Sequence, residues 1–128
     1  DMTDLVSALF TTLQNNEMVR NRECIVKASN LVAEILKVLQ RTGYIGAFEY
    51  IDNGRGGLFR VQLLGRINRS APIRPRMSVK ANQFEMFEQR YLPAKNVGIL
   101  VVTTPKGVMS HEEAKKTRTG GRLLGYVY

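Results

Sequence analysis

The chain has 128 residues, 44% of them hydrophobic, and carries nineteen Lys and Arg against eleven Asp and Glu, a net charge of +8. That length suits one compact domain or two small ones sharing an interface, and the apolar content argues against a disordered chain. No apolar run approaches the ~20 residues that cross a bilayer, no signal peptide is visible, and a lone Cys24 excludes both an intramolecular disulfide and a cysteine-based zinc site. A reducing, cytosolic setting is expected, with Asp1 in place of an initiator Met pointing to trimming at the N-terminus. The positive surplus attracts phosphates or anionic lipid headgroups.

In chain order, Leu5, Val6, Leu9, Phe10 and Leu13 fall at helical spacing behind an N-cap at Thr3, and Asn15-Asn16 ends that helix. Cys24-Ile25-Val26 reads as a short strand in which the cysteine is a small buried hydrophobe. Ser29 or Asn30 caps a second helix with the stripe Leu31, Val32, Ile35, Leu36 and Leu39, closed by Gly43. Tyr44 to Ile51 and Leu58 to Leu64 are strands around the turn Asp52-Asn53-Gly54-Arg55-Gly56-Gly57. Phe59, Val61 and Leu63 point one way along the second strand, Arg60 and Gln62 the other. The Gly54 to Gly57 spacing is that of a KH clamp, but a clamp joins helices and this turn joins strands. Arg55 remains a contact to RNA or to a neighbouring protein. The order is α-β-α-β-β.

Residues 66–80 hold Arg66, Arg69, Arg74, Arg76 and Lys80 with no acidic residue, and Pro72 and Pro75 break regular structure there. The segment reads as the join between two subdomains, 1–68 and 69–128. Beyond it come a short strand near Met77 to Ala81, a brief helix around Phe84 to Gln89, and a loop through Pro93. Ile99 to Thr103 is a buried strand, because its apolar run leaves no polar face. Pro105-Lys106-Gly107 turns the chain. Ser110 and Glu113 have capping-box spacing at the start of a short helix that stops before Gly120-Gly121. The last strand, Arg122 to Tyr128, sets Leu124, Tyr126 and Tyr128 against Leu123 and Val127. The fold class is α+β, with an N-terminal α-β-α-β-β unit and a mainly β C-terminal half with short helices.

The run Gly98-Ile99-Leu100-Val101-Val102-Thr103-Thr104-Pro105-Lys106-Gly107-Val108-Met109-Ser110-His111-Glu112-Glu113-Ala114 resembles the signature of the small-subunit ribosomal protein eight family. Gly120 to Tyr128 is similar to that family's C-terminus. Gly43 to Glu49, Ile73 to Arg76 and Arg90 to Ala94 match further blocks in the same order. The resemblance runs from Leu5 to Tyr128, and the His-Glu-Glu-Ala and Tyr-Val-Tyr wordings look archaeal. It implies a structural constituent of the small ribosomal subunit that binds a stem in the central domain of its rRNA and helps that domain fold and assemble. The family's C-terminal turn enters a bulged part of the stem, which places rRNA contacts at Thr103, Thr104, Pro105, Lys106 and Gly107. Many relatives carry three successive hydroxyls in that turn. Pro105 offers neither a hydroxyl nor an amide donor, so the contacts held here are those of Thr103 and Thr104. Asn30 stands where a basic residue often follows the family's helix-opening serine, which weakens a phosphate contact there.

The chemistry supports that assignment. Irregular RNA presents splayed bases and 2′-hydroxyls that short hydroxyl side chains and backbone groups match at close range, while Lys106 supplies charge. Arg74 and Arg76 are expected on phosphates, because five cations without an anion repel one another unless a phosphate backbone neutralises them. Lys115, Lys116, Arg118 and Arg122 are expected to share the same face. Tyr126, Tyr128, Tyr44, Phe48 and Phe59 read as packing residues. His111 and Glu112 could be offered as a nuclease pair, but no second acid–base partner or metal-ligand cluster accompanies them. No enzymatic activity, metal or cofactor is expected. The partners expected are small-subunit rRNA, neighbouring ribosomal proteins and, as a regulatory alternative, a messenger RNA that mimics the rRNA site.

Overall fold

The computed structural model describes residues 2–128, with side chains from Leu5 onward; α1 already begins at Met2, so Thr3 lies within the helix and not at the N-cap position expected for it. The elements in order are α1 (Met2–Met18), β1 (Glu23–Lys27), α2 (Asn30–Arg41), β2 (Ile45–Ile51), β3 (Leu58–Leu63), β4 (Ser70–Pro72), β5 (Ser78–Val79), α3 (Phe84–Tyr91), β6 (Ile99–Thr104), β7 (Gly107–Ser110), α4 (His111–Lys116) and β8 (Gly121–Val127). This is an α+β fold with two antiparallel sheets. No described helix is long and apolar enough to cross a membrane.

The first sheet has the order β1-β3-β2; in the second, β4 and β5 both lie along β8, followed by β6 and β7. Helices α1 and α2 fill the space between the sheets. One core joins Leu9, Phe10, Leu13, Ile35, Leu36 and Leu39 of these helices to Val26, Phe59 and Val61 of the first sheet and Val101, Leu124 and Val127 of the second. A second core lies on the other face of the second sheet, where Leu100, Val102, Met109 and Leu123 meet Phe84, Phe87 and Ala114 of α3 and α4. Layering explains the buried run Ile99 to Val102: β6 is covered by helices on both faces.

Local signals account for the helix ends. The Ser29 hydroxyl accepts the Val32 amide at 3.1 Å, which makes Ser29 the N-cap of α2. At the far end Gly43 adopts φ +86°, and the Tyr44 and Gly43 amides return to the Leu39 and Gln40 carbonyls. Helix α1 runs past its expected stop. The Asn16 side chain bonds back to the Thr12 carbonyl instead of breaking the helix, and closure waits for Arg20 at φ 60°.

Residues 66–80 hold the strand expected near Met77 to Ala81, as β5, and one that was not expected, β4, which includes Pro72; both pair with β8. Pro72 is tolerated because β4 is an edge strand whose outer side needs no ladder donor. The segment is also tied to α1, with the Ser70 hydroxyl donating to the Phe10 carbonyl and the Ser70 amide to Gln14 Oε1. In β8 the expected faces are exchanged. Val101 pairs with Gly125 and Val102 with Leu123, which leaves Leu124 as the extra residue of a bulge. Leu124 therefore joins Val127 in the first core, while Leu123 shares the opposite face with Tyr126 and Tyr128.

Candidate nucleic-acid interface

The residues singled out in the sequence collect around one end of the second sheet. Thr103 on β6 pairs with Val108 on β7 and with Arg122 on β8, and Arg122 pairs with Ser78 on β5. Directly opposed residues share a sheet face, so Thr103, Arg122 and Ser78 form a polar row on one side. Thr104 and Gly107 are the next pair along and face the other side. Strand alternation thus prevents Thr103 and Thr104 from presenting hydroxyls in one direction. Together they flank the end of β6, an interior strand of the sheet.

The turn is internally braced. The Thr104 hydroxyl donates to the Gly107 carbonyl at 2.8 Å and accepts the Lys106 amide at 3.0 Å. Its proton and one lone pair are spent, so toward a ligand it can only accept. Gly107 carries the left-handed φ of 116°, letting Pro105 and Lys106 keep ordinary backbone values. A Cβ at Gly121 would collide with the Thr103 carbonyl, so only glycine lets β8 lie this close to β6. The Glu34 carboxylate of α2 lies beside Gly107, placing the start of α2 next to the turn.

Cations surround this strand end. Arg74 and Arg76 flank Pro75 in the short excursion between β4 and β5, anchored where the Ile73 amide bonds the Leu124 carbonyl and the Leu123 amide bonds the Met77 carbonyl. Helix α4 ends with Arg118 at φ 52°, and the Thr119 and Arg118 amides return to the Ala114 and Lys115 carbonyls. That closure usually employs glycine, and an arginine there costs about 1 kcal/mol. Among the described residues Arg74, Arg76, Lys106, Lys116, Arg118 and Arg122 have no ion-pair partner.

Three cations are diverted. Lys115 is held by Glu88 Oε2 of α3 at 2.9 Å, so of the expected α4 group it is the one already neutralised. Arg66 donates to the Gly43 carbonyl and helps close α2. Arg69 lies near Tyr126, whose side chain raises the guanidinium pKa from its usual value. Of the five cations in 66–80, Arg74, Arg76 and Lys80 are left without a partner among the described residues, with Arg74 and Lys80 exposed and Arg76 half-buried.

His111 is a structural residue. Buried to 3% exposure, it accepts the Leu100 amide on Nδ1 at 3.0 Å, and Nε2 lies 3.4 Å from Glu88 Oε1. Leu100 has run past the end of the β7 ladder, and the imidazole supplies the acceptor that β7 no longer provides. The bond fixes Nδ1 as the bare nitrogen and Nε2 as the proton carrier. Burial pushes the His111 pKa down, outweighing the Glu88 and Glu112 carboxylates. The capping box is complete, with Ser110 Oγ accepting the Glu113 amide and Glu113 Oε1 accepting the Ser110 amide. Arg41 of α2 donates to both Glu113 oxygens at 3.0 and 3.2 Å, tying α4 to the inner helix layer. Among the described residues no cluster of metal-ligating groups occurs. Burial, with Glu17 and Glu23 nearby, raises the Cys24 thiol to about 11, far from a reactive thiolate.

Sequence reasoning missed Ser78, which joins the polar row only through strand register. It also missed the diversion of Lys115, which depends on how α3 meets α4. No local signal marks either one.

A sheet end carrying hydroxyls, a glycine-packed turn and unpaired cations has the chemistry that suits an RNA ligand. The sequence model of the ribosomal protein S8 family matches residues 4–128, nearly the whole chain, and the protein belongs to that family. It is a structural component of the small ribosomal subunit that binds small-subunit rRNA in the company of neighbouring ribosomal proteins.

Proposed function

We propose that this protein binds a stem of the central domain of small-subunit rRNA and helps that domain fold and assemble, with no enzymatic activity of its own. The observation that carries the reading is the row Thr103, Arg122 and Ser78 beside the braced turn 104–107, set among unpaired cations. Phosphate contacts from Arg74, Arg76, Lys106, Lys116, Arg118 and Arg122 supply affinity, and the irregular stem is read by hydroxyls and backbone groups of 103–107. Lys115 acts through Glu88, holding α4 in place rather than touching RNA. Residues 69–128 form the reading subdomain, and 1–68 the body that supports it. The His111-Glu112-Glu113-Ala114 and Tyr126-Val127-Tyr128 wordings support an archaeal-type member. A messenger RNA with the same bulged stem would engage the same row.

Thr104→Ala is the test of reading by shape. It removes the brace of the turn and one acceptor, so binding to the central-domain stem should weaken by about 1–2 kcal/mol while binding to a plain duplex hardly changes. Equal losses on both RNAs would mean that the turn does not read the stem.

A further inference from the structure

The N-terminal hairpin loop carries the most exposed aromatic ring among the described residues. Tyr50, at the end of β2, is 57% exposed, whereas the other tyrosines are half-buried. Its ring is nonetheless pinned. Phe59 packs edge-on against it at 5.9 Å between centroids, and a Cβ at Gly57 would collide with the ring, so the tyrosine rests directly on the Gly57 backbone. An exposed aromatic costs hydration free energy and, held in one orientation, offers a ready platform to a flat partner.

The adjoining loop is equally ordered. Asp52 Oδ1 accepts the Gly54 amide, and Asn53 Oδ1 accepts the amides of Arg55 and Gly57, each at 2.9 Å. Positive φ values at Gly54, Gly56 and Gly57 raise Arg55 between them, and a Cβ on Gly54 or Gly56 would meet nothing within 4 Å. Arg55 has no ion-pair partner among the described residues. Lys27, the last residue of β1, pairs with Leu58 beside it. The acids nearby are Asp52, occupied in its turn, and Glu49, bound to Arg60 at 2.7 Å.

The loop points the right way. The Ala28 amide bonds the Gly57 carbonyl, so the loop adjoins Ser29, the cap of α2. The Glu34 carboxylate, one turn further into α2, lies beside Gly107. Both hairpin tips therefore adjoin the first turns of α2, one on either side. Two packing layers of about 10 Å each separate them by roughly 20 Å.

We propose that Tyr50 and Arg55 form a second RNA contact, in which the Tyr50 ring stacks on an unpaired base and Arg55 meets an adjoining phosphate. This rests on the reading that the chain binds rRNA and adds single-stranded nucleotides next to the stem as the ligand. Stacking tolerates any base, so the contact carries affinity and direction rather than sequence.

The test uses the full chain and a small-subunit rRNA fragment holding the central-domain stem with its flanking unpaired nucleotides. Tyr50→Leu should weaken binding roughly 5- to 100-fold, and Tyr50→Phe, which keeps the ring, should stay within about twofold. Trimming the unpaired nucleotides should abolish the difference between Tyr50→Leu and the parent. Arg122→Ala serves as the control for the main site. If Arg122→Ala weakens binding and Tyr50→Leu does not, the second contact is overturned and the main site stands. If neither variant matters, the RNA-binding face itself is misplaced. Photocrosslinking the unaltered chain to fragment RNA containing 4-thiouridine gives a readout independent of variant folding. A crosslinked peptide spanning the Tyr50–Gly57 loop is the expected product, and crosslinks confined to residues beyond 69 would overturn the proposal, leaving protein contact as the use of this ring.

Discussion

The helix layer between the two sheets and the helix layer outside the second sheet hold together by different physics. Between the sheets, Val32, Ile35, Leu36, Val38 and Leu39 of α2 and Leu9, Phe10 and Leu13 of α1 are all at most 1% exposed, and nearly everything they touch is apolar. Outside, α3 and α4 are short, and beneath their few apolar contacts runs the chain Leu100 amide, His111, Glu88, Lys115. Apolar burial is tolerant of detail and strong in sum. A buried polar chain is weaker in net terms but fixes one arrangement, because each unmade bond is costly. The layer that needs bulk stability has the first kind of core, and the layer that sets the angle of α4 beside the turn 104–107 has the second.

That contrast can be broken most forcefully in the inner layer. Phe10 is fully buried, and its ring lies against Gly125 so closely that a Cβ there would collide with it. Phe10→Ala should cost about 3–5 kcal/mol, read as a fall in the denaturant midpoint at unchanged slope. A loss under about 1 kcal/mol would mean the two sheets are not joined through one core.

The outer layer should answer to pH instead. His111 has its pKa lowered by burial, so in the unfolded chain it takes up a proton near its ordinary 6.5 while the folded protein still excludes it. Unfolded chains then bind more protons, and stability falls as pH drops from about 6.5 toward the folded value, by at most about 1.4 kcal/mol per unit. Above 6.5 this contribution is fully present. Glu113, whose carboxyl burial would raise but which Ser110 and Arg41 together bring down, keeps its own contribution until more acidic conditions. His111→Gln should flatten the slope just below pH 6.5. An unchanged profile would remove His111 from the account.

The smallest effect separates stability from binding within one residue. Arg118 occupies the left-handed closing position of α4 at φ 52°. Arg118→Gly should raise stability by about 1 kcal/mol, since glycine adopts that conformation without strain, and should weaken RNA binding through the lost cation. Greater stability with unaltered binding would take Arg118 off the interface.

How much of this was legible follows from how local each signal is. Ser29, Gly43 and the Ser110–Glu113 pair act within a few residues of themselves, and the structure uses each as the sequence suggests. Strands β4 and β7 have only three and four residues, and they exist through what lies beside them. The faces of β8 could not be read because one extra residue, Leu124, resets the alternation, and nothing in Leu123-Leu124-Gly125 announces a bulge. At the interface, the family resemblance singled out 103–107, but it did not show that Thr104 spends its proton inside the turn or that Lys115 belongs to Glu88. Those facts arise from the meeting of elements distant in sequence.

The measurement that bears most directly on the central claim is a salt titration of binding to an isolated central-domain stem, with a plain duplex as control. The account predicts that stem binding survives added salt better than duplex binding, and that replacing both Arg74 and Arg76 with Ala lowers the salt slope by about 2 on either RNA. Equal, steeply salt-sensitive binding to stem and duplex would mean that the surface is merely basic, and would contradict shape reading by the turn at 103–107.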